Sequence, residues 1–231
     1  MCIRDRRHVI PNHMTDIDPC QIKEISNSPS LAARSVIVKK TNPLPIEAIV
    51  RGYLVGSGWK EYCDTGTICG IKLPDGLELA SRLPQNLFTA STKAELGQHD
   101  MNISFDEVVK ILGSKTANTV REAALTIYHE ATKHAHSKDI IIADTKLEFG
   151  MDENGNLILI DEVLTPDSSR FWNTGSYQVG IYPPSLDKQF VRDYLESIGW
   201  DKTLPAPPLP DEIINQTAKK YRDIKTLLIG T

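Results

Sequence analysis

The alternation of apolar and polar positions divides the chain into a small set of elements. Ser35–Lys40 and Ile46–Leu54 read as strands around a proline-bounded turn at Thr41–Pro45, and the second runs into the glycine-containing Val55–Gly58. Residues 1–30 are irregular, because Pro11, Pro19 and Pro29 interrupt any long element. Ser104-Phe-Asp-Glu107 precedes Val108, Val109 and Leu112 and reads as a capping-box helix start, with Gly113 suited to its end. Val120, Ala124, Ile127, Tyr128, Ala131 and Ala135 recur at helical spacing and predict a longer amphipathic helix over about 116–138. Two more helices are expected late in the chain. One would bury Phe190, Val191, Tyr194, Leu195 and Ile198, the other Ile214, Thr217, Tyr221, Ile224 and Leu228, all as core packing.

Between the helices, Asp139–Phe149 and Leu157–Val163 are strand-like and joined by Asp152-Glu-Asn-Gly-Asn156. Asn-Gly between apolar runs is a strong hairpin signal, since both central residues of a type I′ turn need positive φ. A two-residue turn at Asn154-Gly155 makes opposed residues sum to 309, so Glu148 faces Asp161 and Asp152 faces Leu157. Asp144, Lys146 and Glu148 then share one face. Two carboxylates across a ladder repel one another unless a cation lies between them. Two carboxylates completed by substrate phosphates suit Mg²⁺, which keeps several waters. A longer loop or a bulge would shift the register and leave both acids to solvent.

Composition narrows the class. With 231 residues, 40% apolar and 24% charged, the chain can bury a sizeable core as one large domain or two lobes. Its longest aliphatic runs, Ile140–Ala143 and Leu157–Ile160, are four residues each, far below the roughly 20 of a membrane helix. Residues 1–20 carry charges and prolines where a secretory signal would need an apolar stretch, so a cytoplasmic location is expected. Cys2, Cys20, Cys63 and Cys69 show no metal-ligand spacing and read as free thiols. The net charge is −4, with nine Lys/Arg against five Asp/Glu in residues 1–60 (+4) and seventeen against twenty-five in the remainder (−8). No Lys/Arg cluster interleaves with aromatics, which argues against nucleic acid as a partner. The basic start could attract a phosphorylated small molecule or form a solvated face.

Specific blocks add more. Pro45-Ile-Glu-Ala-Ile-Val-Arg-Gly-Tyr53, Gly56-Ser-Gly-Trp-Lys-Glu-Tyr62, Ser91-Thr-Lys-Ala-Glu95, His99-Asp100 with Asn102-Ile-Ser104, Ile142-Ala-Asp-Thr-Lys-Leu-Glu-Phe-Gly150 and Asp161-Glu-Val-Leu-Thr-Pro-Asp-Ser-Ser-Arg-Phe-Trp172 together resemble the SAICAR synthetase family. Ser185–Trp200 and Pro205–Leu228 resemble its closing helices, so the likeness runs over about residues 8–230. The resemblance implies an α+β, two-lobed fold, with residues 1–41 as the remnant of an N-terminal ATP-binding lobe and 42–231 as the larger mixed lobe that binds ATP and substrate. It also implies an N-terminally truncated member. The family opens with a glycine-containing hairpin and a lysine that cover ATP, whereas this chain joins the pattern near Ile10-Pro-Asn-His13 behind an unrelated Met1–Arg6.

The activity implied is an ATP- and Mg²⁺-dependent ligation of carboxyaminoimidazole ribonucleotide (CAIR) to L-aspartate through an acyl phosphate. By the same resemblance, Arg51, Ser57 and Arg170 hold the ribonucleotide 5′-phosphate, and Glu148 and Asp161 hold magnesium. Lys93 and Lys146 neutralise phosphates or the acceptor carboxylate, and Asp144 orients Lys146 or the exocyclic amine. Asp100 and His99 mark the aspartate pocket, and Val38, Lys39 and Lys40 offer backbone groups to adenine. Met101 and Ala90 depart from the family's usual acidic residue and proline. Two other readings are a non-catalytic nucleotide-binding remnant and a phosphotransferase acting on a different acceptor.

Overall fold

The computed structural model describes residues 6–93, 101–201 and 203–230. After two single-turn helices, α1 (Lys23–Ser26) and α2 (Pro29–Ala32), come β1 (Asn42–Pro43) and β2 (Ile46–Tyr53). Next are α3 (Gly56–Thr65), the small hairpin β3 (Thr67–Ile68) and β4 (Ile71–Lys72), β5 (Arg82–Thr92) and β6 (Asn102–Ile103). Helices α4 (Phe105–Leu112) and α5 (Ser114–His136) precede β7 (Ile140–Met151), β8 (Leu157–Ile160) and β9 (Ser169–Asn173). Helices α6 (Gln189–Ser197) and α7 (Asp211–Ile229) follow.

One antiparallel sheet organises these elements, in the order β1-β7-β2-β5-β6 with β8 and β9 also on β7. On one face Ile46, Ala48 and Val50 of β2 and Phe88 and Ala90 of β5 pack against the predicted α5 stripe, all of which is buried. The capping box at Ser104 forms with both reciprocal hydrogen bonds, which fixes where α4 starts. The opposite face carries the polar side chains. It is flanked by α3 with the Leu54–Ile68–Leu87 cluster and by an aromatic group in which Trp172 stands edge-on to Tyr53 and stacks on Tyr177.

Three expectations need correction. Ser35–Lys40 is not a strand; it makes a single bridge, Met14 with Val38. Its partner segment turns at once to β8, where Asn12 bridges Leu159, so no ladder extends. The hairpin register sums to 308 rather than 309: Glu148 opposes Ile160, and Met151 opposes Leu157. The loop has three residues because Asp152 pairs with Asn156 and its carboxylate accepts the Asn154 and Asn156 amides, so only Gly155 takes positive φ (+76°). The late helices form but bury less than predicted. Of the named residues only Ile224 and Leu228 are fully buried, while Ile198 and Ile214 are about half exposed. No helix among the described residues is long and apolar enough to cross a membrane, and Cys20, Cys63 and Cys69 are free thiols.

Candidate active site

Strand pairing brings the polar residues together. Arg51 lies directly across from Asp144 and Ile49 across from Lys146, while Glu47 lies across from Ser91 on the other side of β2. The alternation of β2 therefore places Glu47 and Arg51 on the face that carries Asp144, Lys146 and Glu148. That face has two ends, with Asp144 and Glu148 four residues, or about 13 Å, apart along β7.

At the first end two guanidinium groups meet one carboxylate. Arg170 Nη1 donates to Asp144 Oδ2 at 2.5 Å, and Arg51 Nη1 approaches the same oxygen at 3.5 Å. Arg51 also donates through Nε to Thr89 Oγ1 (3.1 Å) and through Nη2 to Ser57 Oγ (3.0 Å). Ser57 stands in the first turn of α3, where backbone amides are unpaired and attract anions. Its glycine neighbours permit the close approach: a Cβ on Gly56, whose φ is +61°, would come within 2.6 Å of Arg170 Nη2. Asp187 and Tyr182 also act on Arg170, yet its buried Nε has no hydrogen-bond partner. Two guanidinium groups with an unpaired donor suit an anion with several acceptor oxygens.

The second end has the opposite balance. Lys93 Nζ donates to Glu148 Oε2 (2.5 Å), and Lys146 Nζ donates to Glu47 Oε1 (2.8 Å) while lying 3.6 Å from Glu148 Oε1. Burial works against the Lys146 charge, but Glu47, Glu148 and Asp161 outweigh it and raise its pKa. Asp161 reaches this cluster although it does not oppose Glu148. Its φ of +59° takes it out of the strand, and its charge acts on both Lys146 and His13. Three carboxylates thus face two lysines. Lys188, whose ammonium is destabilised mainly by burial, lies at the margin of the cluster within the field of Lys146, with Arg192, Asp167 and Glu162 also acting on it.

The predicted residues are therefore largely assembled. Arg51, Ser57, Arg170 and Asp144 form one group, and Lys93, Lys146, Glu148 and Asp161 form the other. Asp144 is turned to the arginines, and Lys146 is instead oriented by Glu47. Val38, Lys39 and Lys40 lie beside the β7–β8 hairpin: His13 bonds β8 through its amide and accepts from the Lys39 amide through its carbonyl. The bridge there uses the Ile37 carbonyl and the Lys39 amide, leaving the Val38 amide and carbonyl outside it. His99 and Asp100 lie outside the described residues. Sequence reasoning missed Glu47, although its even spacing from Arg51 was a usable signal. It also missed Asp187, a buried carboxylate that accepts the Phe171 and Gln189 amides and so ties the start of α6 to β9 beside Arg170.

Comparison with known proteins is consistent across the chain. Residues 4–207 match the family described as SAICAR synthetase. The phosphoribosylaminoimidazole-succinocarboxamide synthase of Methylobacillus flagellatus is 55% identical over 97% of this chain and 76% of its own length. The enzyme of the same name from Neisseria meningitidis serogroup B is 53% identical over 96% of this chain and 77% of its own. Among solved structures, the SAICAR synthase of Saccharomyces cerevisiae complexed with SAICAR superposes with a TM-score of 0.86 at 40% identity, covering 99% of this chain and 78% of that one.

Proposed function

Because the chain belongs to the SAICAR synthetase family, we propose that the polar face shared by β2, β5, β7 and β9 is where its ligase reaction takes place. The enzyme is a carbon–nitrogen ligase of purine biosynthesis that joins the carboxylate of CAIR to the amine of L-aspartate at the expense of ATP. A carboxylate is a poor electrophile, so phosphorylation by ATP first converts it to an acyl phosphate. The aspartate amine then attacks the carbonyl carbon; the C–N bond forms, the bond to phosphate oxygen breaks, and the amine loses a proton.

The observation that carries the site assignment is the charge division along β7. Two arginines against Asp144, with the Arg170 Nε donor unpaired, suit the 5′-phosphate of the ribonucleotide, and Ser57 completes that cradle. Lys146, at the second end with Lys93, would neutralise the acceptor carboxylate and the transferred phosphoryl group, since phosphoryl transfer depends on positioning and charge neutralisation. Glu148 and Asp161 would hold magnesium: their oxygens are hard donors, the cluster is one positive charge short, and Mg²⁺ ordinarily takes one or two carboxylates plus substrate phosphates. The ion would supply charge neutralisation at phosphate oxygens. The Val38 backbone, with Lys39 and Lys40, would meet adenine, and Asp100 with His99 the aspartate substrate. Residues 1–41 would belong to the ATP-binding side, and residues 42–231 would bind both ATP and CAIR.

The magnesium assignment is tested by Glu148→Gln. Nucleotide binding should weaken in magnesium. In EDTA it should be unchanged or tighter, because Lys93 and Lys146 lose a competing carboxylate. Equal losses under both conditions would overturn the metal role.

A further inference from the structure

Tyr128 of α5 lies on the core side of the sheet, 1% exposed, and belongs to neither charged cluster. Its hydroxyl nevertheless ends at the strand positions next to Arg51 and Asp144. It donates to the Ile142 carbonyl at 2.6 Å, with the Ala143 carbonyl at 3.3 Å, and the Gly52 backbone also hydrogen-bonds to it. Ladders break at both points: between Arg51 and Tyr53 the β2–β5 pairing shifts because β5 carries the extra residues from Leu87 to Arg82, and between Ile142 and Thr145 β7 carries one extra residue against β9. Gly52 is needed for the approach, since a Cβ there would lie 2.3 Å from the Tyr128 oxygen.

The shift in β7 decides which way the site residues point. Ile140 and Ile142 face the core under α5, while Ile141 and Ala143 pack with Trp172 on the other side. A regular strand would keep even-numbered residues in the core and drive Asp144, Lys146 and Glu148 into it. Instead Leu147 and Phe149 continue the core, and the charged residues occupy the opposite face. A bulge of this kind leaves backbone groups without ladder partners, and those at Ile142 and Ala143 are the ones the Tyr128 hydroxyl meets.

We propose that Tyr128 is a positioning residue for the ligase: its hydroxyl pins β7 at its bulge against β2 at Gly52, where the ladder with β5 breaks, and so holds Arg51 and Asp144 in the geometry that receives the ribonucleotide phosphate. The proposal rests on the phosphate assignment made above. The test is calorimetric binding of SAICAR and of its dephosphorylated ribonucleoside to the full chain, with thermal stability measured in parallel. Tyr128→Phe should bind SAICAR about tenfold more weakly than the parent and bind the nucleoside alike, as expected for misplacing one charge-assisted contact. Ile127→Val, a change in the neighbouring core residue, should lower stability and leave both affinities unchanged. Arg51→Ala reports on the phosphate assignment itself. If Arg51→Ala loses SAICAR affinity and Tyr128→Phe does not, the positioning role is wrong and the phosphate site stands. If Arg51→Ala also keeps full affinity, both are wrong. Equal SAICAR losses in Tyr128→Phe and Ile127→Val would reduce Tyr128 to a core residue and overturn the proposal. Should Tyr128→Phe not fold, Gly52→Ala, which displaces the hydroxyl, should show the same phosphate-selective loss, and parent-like SAICAR binding by it would overturn the proposal.

Discussion

At Arg51 two opposing effects act on one guanidinium. Full burial lowers its pKa and Asp144 raises it again, while Arg170, the nearer partner of Asp144, is raised by that carboxylate more than burial lowers it. The difference follows the 3.5 Å and 2.5 Å contacts, and both groups remain cations at neutral pH. Arg51→Ala is the cleaner substitution because Asp144 keeps its short contact to Arg170. It should cost roughly 1.5–3 kcal/mol of ribonucleotide binding, about ten- to a hundredfold in affinity, and leave the unphosphorylated nucleoside unaffected. Equal losses for both ligands in a binding titration would mean that Arg51 does not meet the phosphate. At this scale the sequence was informative where several matched blocks fixed residue identity, as at Arg51, Ser57 and Arg170. It was weaker on partners: the attachment of Lys146 to Glu47 depends on side-chain placement across β2 and β7, which identity alone does not give.

Elements were legible wherever one side of the pattern was apolar and the other polar. The α5 stripe and the α4 capping box are formed as the residues dictate. The hairpin was correct in kind and wrong by one residue, because the Asp152 carboxylate gathers two loop amides and stabilises a three-residue loop over a two-residue turn. The bulge in β7 was hidden for a different reason. Ile140–Ala143 is apolar at every position, so no alternation exists there to reveal a change of face. The loop assignment has a direct check. Gly155 has positive φ and open space around its Cβ position, so Gly155→Ala should cost about 1–2 kcal/mol through backbone strain alone. In a chain of this size that lowers Tm by roughly 2–8 °C. Asn154→Ala should change stability by less than about 0.5 kcal/mol, since Asn154 does not adopt positive φ. Comparable losses at both positions in thermal denaturation would restore the two-residue turn.

Across the whole molecule, the sheet separates two tasks. One face is closed by α5 and supplies the apolar core; the other keeps a cationic end and an anionic end on the same strand. Net charge and regional charge balance did not reveal this arrangement, because the two clusters nearly cancel and their members come from distant parts of the chain. Under the proposed assignment, this separation would let one substrate be held by its phosphate at the arginine end while its carboxylate is activated at the lysine end. The most direct measurement uses CAIR whose carboxylate carries heavy oxygen. Incubated with ATP, magnesium and L-aspartate, the enzyme should release inorganic phosphate bearing one heavy oxygen from that carboxylate, and only when aspartate is present. Unlabelled phosphate, or phosphate released equally without aspartate, would contradict ligation through an acyl phosphate on this face.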